Sequence, residues 1–227
     1  NGSDYNGMVS VKAYYIDPSS PSLNEQMPGD LRGRTSTGQL RGLRTFGMMA
    51  VELEGAGGQE LKLKPGTTAN LSFPIPSGLL SVAPLTIPLW YFDETSGLWK
   101  EEGSATRSGN TYTGTVSHFT FWNVDDPYEY VFLNMKVVNP SQQGVGGLRV
   151  ELTSLADSTW SYDYTDNNGN VDGYVPKNAQ LKREIFEDCD QLVSSAIIGP
   201  FSTNTDLGSV QVGVAGSLQT ISGSVTN

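Results

Sequence analysis

Residues 111–126, TYTGTVSHFTFWNVDD, contain the chain's only histidine, His118, and end on an acidic pair directly before Pro127. Successive side chains of a strand point to opposite faces, so Phe119 and Phe121 share one face and His118, Thr120 and Trp122 share the other. The stretch reads as a closing β-strand with bulk on both faces. After Pro127 the pattern of strands restarts, so this strand is the last of one domain and the seam to the next.

Upstream, IPLWYFDETSGLWKEEG (87–103) reads as a hairpin. Two aromatic runs flank Asp93-Glu94-Thr95-Ser96-Gly97, and Gly97 can take the positive φ such a turn needs. A second hairpin follows around Ser108-Gly109-Asn110. Further strands are expected at 8–17, 48–55, 59–66 and 67–76, separated by an ordered Pro- and Ser-rich loop at 17–30. Residues 31–49 read as a hairpin or extended loop, and a helix is not expected at 77–84. Seven or eight strands in about 120 residues make a β-sandwich.

Downstream, YVFLNMKVVNPSQQGVGGLRVELTS is a strand, a Gly-rich turn and a second strand with Leu148, Val150 and Leu152 in phase. WSYDYTDNNGNVDGYVPKN is a hairpin with its tip at Asp166-Asn167-Asn168-Gly169, and three more strands follow. The chain therefore reads as all-β with two consecutive β-sandwiches, 1–126 and 127–216. The tail 217–227, with LQTISGSVTN, reads as the first strand of a further domain in a longer modular protein.

Charge and composition narrow the function classes. The net charge is −10, from 14 basic and 24 acidic residues, and both halves are acidic. Nucleic-acid binding needs a basic face toward the phosphates, and an anionic membrane surface makes the same demand, so neither partner is expected. A single cysteine, Cys189, rules out an intrachain disulfide and a cysteine-based metal cage. No apolar run has the length of a membrane span, and a triad has only His118 to draw on. Glu101-Glu102 and Asp125-Asp126 are adjacent on strands and point to opposite faces, so neither makes a glycosidase pair.

Two resemblances add to this reading. Gly144-Val145-Gly146-Gly147-Leu148-Arg149-Val150-Glu151-Leu152, the tip Thr165–Asn170 and Tyr174-Val175-Pro176 resemble the carboxypeptidase-regulatory-like domain. That resemblance implies a transthyretin (prealbumin)-like sandwich for the second half. MPGDL (27–31), TFGMMAVEL (45–53), IPLWYFDETSGLWKEEG, VSHFTFWN (116–123) and IIGPFSTNTDLGSV (197–210) are similar to uncharacterised surface proteins of Gram-negative gut bacteria. What this implies is a secreted or surface-anchored, adhesion-like protein of stacked sandwiches. A lipoprotein signal before Asn1, removed or missing here, would hold it at the outer membrane.

Candidate site residues fall into four groups. His118-Phe119-Thr120 is similar to the His-Phe-Ser/Thr tripeptide of the self-cleaving β-modules of the FIIND, ZU and nucleoporin kinds. The resemblance implies Thr120 as nucleophile, His118 as base and Phe119–Thr120 as the scissile bond. The plain reading is a strand histidine with local hydrogen bonds. Arg32, Arg34, Arg41 and Arg44 could hold an anionic ligand or pair with the chain's own acids. Trp90, Trp99 and Trp160 could stack on sugars, although aromatics such as Tyr91, Phe92, Tyr162 and Tyr164 beside them read as core. Asp166, Asn168, Asn170 and Asp172 alternate oxygen ligands as a calcium loop would, but Lys177 stands where the closing acid should be, so a plain turn is expected.

The sequence thus predicts a non-catalytic structural or adhesive module that needs no cofactor. Its expected partners are neighbouring domains of the same longer protein, and a host protein or glycan. The alternatives are a self-cleaving module and a carbohydrate-binding module.

Overall fold

Alternating apolar residues and frequent Gly and Asn turns give strands rather than helices across residues 3–156 and 159–213, which the structure, a computed structural model, describes. The strands group into two compact units, Asn1–Glu129 and Tyr130–Asn227. The tail 217–227 and its expected strand lie outside the described residues.

Unit 1 holds β1 (Val9–Ile16), β2 (Arg32–Arg34), β3 (Leu40–Gly55), β4 (Glu60–Leu61), β5 (Ala69–Pro74), β6 (Thr86–Asp93), β7 (Leu98–Ser108), β8 (Thr111–Val116) and β9 (Phe121–Tyr128). The expected loop at 17–30 contains one helical turn, α1 (Leu23–Gln26). All nine strands belong to one hydrogen-bonded sheet in the order β1-β3-β9-β6-β7-β8-β5. β2 pairs antiparallel with β3 and parallel with β7, which closes the ring β3-β9-β6-β7-β2. The layers of this sandwich are therefore parts of a single curled sheet.

Closure leaves β6 and β9 covered on both faces. Leu89, Trp122 and Val124 pack with Phe46, Phe73, Ile87 and Tyr112 in one cluster. Trp90 turns the other way, into a second cluster with Ile16, Leu43, Met48 and Trp99. Burying each large side chain stabilises by about 1.5–3 kcal/mol relative to exposure. The β6–β7 turn takes the expected form, with Gly97 at φ +67°.

Three expectations need correction. Residues 111–126 are not one strand: β8 stops at Val116, the chain bends through 117–120, and β9 starts at Phe121. β8 pairs with β5 and β7, whereas β9 pairs with β3 and β6, so the chain must cross between two places in the sheet. Phe119 and Phe121 consequently join different clusters instead of sharing a face. The strand expected at 48–55 begins at Leu40, its register broken between Thr45 and Met48 by a bulge at Gly47. Finally, the break expected after Asp126 comes three residues later, because β9 continues to Tyr128, paired with Gly42.

Unit 2 holds β10 (Tyr130–Val138), β11 (Arg149–Ser154), β12 (Trp160–Tyr164), β13 (Asn170–Pro176), β14 (Leu181–Glu187), β15 (Gln191–Ile198) and β16 (Thr205–Gln211). They form two sheets, β13-β10-β16 and β12-β11-β14-β15. Val131, Leu133, Met135 and Val137 of β10 fill the interior against Val150 of β11 and Leu181 and Ile185 of β14. The Gly-rich turn before β11 has a steric cause. A Cβ at Gly144 would overlap the Asn168 carbonyl, and one at Gly146 would lie 2.7 Å from the Asp166 oxygen. The turn can nest against the 166–169 tip only without side chains.

Candidate functional site

The bend at 117–120 places His118 among aromatic rings. Its imidazole lies 4.9 Å from the Tyr91 ring, edge-on, and 4.9 Å from the Trp122 ring. Nε2 stands 3.7 Å from Glu102 Oε2, and the Ser117 hydroxyl donates to Glu102 Oε1 at 2.8 Å. The bend's carbonyls are held from both sides: Trp122 Nε1 donates to the His118 oxygen at 3.0 Å, and the Val51 N–H donates to the Thr120 oxygen at 3.3 Å. The imidazole stands near a carboxylate without a hydrogen bond to it, and among the described residues no hydrogen bond joins it to the Thr120 hydroxyl.

Behind the bend, β9 and β3 together carry a polar trio that the sequence reading missed. Thr45, Asn123 and Asp125 are all buried. The Thr45 hydroxyl donates to Asn123 Oδ1 at 2.8 Å, and Asn123 Nδ2 donates to Asp125 Oδ2. Asp125 Oδ1 has no hydrogen-bond partner among the described residues. Burial pushes the Asp125 carboxyl well above the usual carboxylate range; the Thr45 hydroxyl works against that and the neighbouring Asp126 charge adds to it. The only hint in the sequence was the Asp125-Asp126 pair, in which opposite faces mean opposite environments.

The structure separates the candidate aromatics. Trp90 and Trp99 are 0% exposed, and their indole N–H groups donate to the Asp125 and Asp30 carbonyls, so neither can be a ligand platform. On β12 the core reading fails in the other direction. Trp160, Tyr162 and Tyr164 are 59%, 46% and 55% exposed. Trp160 and Tyr162 stack with centroids 5.8 Å apart, and Tyr164 meets Tyr162 edge-on at 5.9 Å.

The arginines do not converge on a shared anion site. Arg32 is held by both oxygens of Asp30, at 2.8 and 3.0 Å from its Nε. Arg34 donates to the Gly38 carbonyl, Arg41 to Gln39 and the Leu40 carbonyl, and Arg44 stands opposite Asp126 in the β3–β9 register. In the 166–172 loop, Asp166 Oδ1 accepts the Asn168 and Asn170 N–H groups at 2.8 Å, and Oδ2 accepts the Asn170 amide. Those bonds, led by the Asn170 N–H, lower the Asp166 pKa and engage the carboxylate in the turn itself. Among the described residues no three His, Cys, Asp or Glu side chains group as metal ligands, and no helix is long and apolar enough to cross a membrane.

No family model matches the chain. Cartilage intermediate layer protein 2 of Mus musculus is 32% identical over 116 residues, covering 48% of this chain and 9% of that protein. Cartilage intermediate layer protein 1 of Homo sapiens is 28% identical over 105 residues, covering 45% of the chain and 8% of that protein. The chain thus spans less than a tenth of the length of these curated relatives. Among solved structures, the Streptococcal ancillary pilin aligns over 65% of this chain and 69% of its own at 10% identity and a TM-score of 0.29. The shaft pilin spaA of Lactobacillus rhamnosus GG aligns over 83% of this chain and 69% of its own at 8% identity and a TM-score of 0.29. Scores this low carry no argument about function.

Proposed function

We propose that the chain is a non-catalytic structural or adhesive module of a secreted or surface-anchored protein built of consecutive sandwiches, its second unit transthyretin-like. The observation that carries this reading is strand β12, an open sheet edge lined with exposed aromatics. The ladder to β11 fixes which of its groups are available. Ser154 N–H donates to the Thr159 oxygen and Thr165 N–H to the Leu148 oxygen, so by alternation Ser161 and Asp163 bond to β11. The backbone groups of Trp160, Tyr162 and Tyr164 therefore face the open side. One of them is already covered: Asp163 Oδ1 accepts the Tyr164 N–H at 2.7 Å. No proline, lysine or bulge protects the rest of the edge.

The sequence WSYDY is self-complementary when paired antiparallel about Tyr162. Trp160 then meets Tyr164 of a second copy, Ser161 meets Asp163, and Tyr162 meets itself, so no like charges oppose. A second copy is the partner this register suits. Sedimentation should show concentration-dependent dimers, lost in Tyr162→Pro, which removes an outward donor, and strengthened in Asp163→Ala, which uncovers the Tyr164 N–H. Monomers at every concentration in both wild type and Asp163→Ala would refute adhesion through β12.

A second reading is self-cleavage between Phe119 and Thr120, favoured by the imidazole's place beside Glu102, which could orient it as a base. Thr120 Oγ would attack the Phe119 carbonyl carbon, its proton passing to the departing Thr120 nitrogen, and water would then hydrolyse the resulting ester. Mass measurement under denaturing conditions decides the matter. A single species at 24.4 kDa would end this reading, and two fragments dividing after Phe119 would support it.

A further inference from the structure

The outer face of the three-stranded sheet in unit 2 offers a different kind of surface from the β12 edge. On β10 the inward residues are Val131, Leu133, Met135 and Val137, which leaves Tyr130, Phe132, Asn134 and Lys136 outward. The register sets Phe132 beside Tyr174 and Asn134 beside Asp172 on one flank, and Asn134 beside Asp206 on the other. An aromatic row thus borders a row of carboxylate, amide and carboxylate. Tyr174, 47% exposed, touches the Tyr130 ring at 4.7 Å and the Phe132 ring at 5.3 Å.

Between β10 and β16 this face opens into a cleft of about 160 Å³ lined by Phe132, Asn134, Asn204, Thr205 and Asp206. Its origin is local. The β10–β16 register slips after Asn134, where β16 carries an extra residue and Gly208 takes φ +66°. Such a bulge bends its strand away from the partner. The backbone bonds that shape the cleft use only some of its polar atoms. Phe132 N–H donates to Asn204 Oδ1 at 2.9 Å, and Gly208 N–H donates to Asp206 Oδ1 at 2.7 Å. Among the described residues Asn204 Nδ2, Asp206 Oδ2 and the whole Asn134 amide meet no hydrogen-bond partner.

We propose that this cleft is a binding site for a single neutral hexopyranose residue, such as the end of a glycan chain. A sugar hydroxyl both donates and accepts, and the cleft supplies amide donors and carboxylate or amide acceptors within one ring's reach. The C–H face of a pyranose matches an aromatic wall, which Phe132 provides, its ring braced on the far side by Tyr174. The volume is well under the roughly 300–1,000 Å³ of sites for drug-sized ligands, which suits one ring rather than a buried oligomer. Asp172 and Asp206 select against sialylated or sulfated sugars through like-charge repulsion. The site lies on other strands than β12 and holds whether or not that edge pairs.

The test is an amide-resolved NMR titration of the full 227-residue chain with the methyl glycosides of glucose, galactose and mannose, and with methyl sialoside as the anionic comparison. At least one neutral glycoside should shift the Phe132 and Gly208 N–H signals and the Asn134 and Asn204 side-chain signals at millimolar concentration. Asn134→Ala removes a side chain that bonds to none of the described residues, and Asp206→Asn keeps an acceptor for Gly208. Each should weaken binding about tenfold with the remaining spectrum unchanged. Silence at these signals with all three neutral glycosides, unaltered binding in both variants, or equal binding of the sialoside would each overturn the proposal.

Discussion

Replacing Asp125 by asparagine should stabilise unit 1 by an amount that grows with pH. The carboxyl is fully buried, one oxygen has no hydrogen-bond partner among the described residues, and no cation faces it among the groups that shift it, so the folded state favours its neutral form. Its folded pKa is raised above the 3.8 of an ordinary aspartate. For an acid shifted in that direction, the favourable contribution is fully present below the unfolded value and is lost as pH rises toward the folded one. Each pH unit in that window removes about 1.4 kcal/mol from the wild type. Asparagine has the same shape, can still accept from Asn123, and does not titrate. The two proteins should therefore be nearly equal in stability near pH 4 and diverge by about 1.4 kcal/mol per unit above it, until the folded pKa is reached. Denaturant titrations at several pH values read this directly, because the three fully buried tryptophans, Trp90, Trp99 and Trp122, all report on unit 1. The difference cancels every other titrating group that the two proteins share. Parallel stability–pH curves would refute the argument and show that Asp125 is solvated or paired in solution.

Two further outcomes follow from burial and sterics. Trp99→Ala should cost about 3–5 kcal/mol by emptying a filled core position, whereas Trp160→Ala should change stability by less than about 0.5 kcal/mol; equal effects in thermal unfolding would contradict their contrasting exposure. Gly144→Ala should destabilise unit 2 by about 2 kcal/mol or more, since its Cβ would collide with the Asn168 carbonyl, and an unchanged melting temperature would mean that the two turns do not nest.

The readable parts of the fold were those fixed by local chemistry. The 87–103 hairpin could be found because a turn of Asp, Thr, Ser and Gly between aromatic runs specifies itself, and β6 and β7 pair Asp93 with Leu98 across it. The Thr165–Asn170 tip was equally legible. Ring closure was not, because it depends on Arg32–Arg34, three residues that pair at once with the adjacent β3 and with the far more distant β7. Aromatic strands also gave no sign of which layer would cover them. LWYF and WSYDY look alike as sequence, yet Trp90 is sealed among Ile16, Leu43, Met48 and Trp99 while Trp160 stands on an edge that nothing described covers.

The stretch around His118 shows the same limit in a sharper form. Period-two reading assumes an unbroken strand, and that assumption placed Phe119 with Phe121. In β9 both faces are covered, so Trp122, Asn123, Val124 and Asp125 are all buried in succession. Two polar side chains in such a strand can persist only by bonding across it, and Asn123 does so by linking Thr45 on β3 to Asp125. In β9 the polar pair spaced by two is doubly buried, although the same spacing on a strand with one open face marks exposure. That burial moves attention from the histidine, which is half open and set among rings near Glu102, to the carboxyl one strand deeper, where the charge state is decided by the fold.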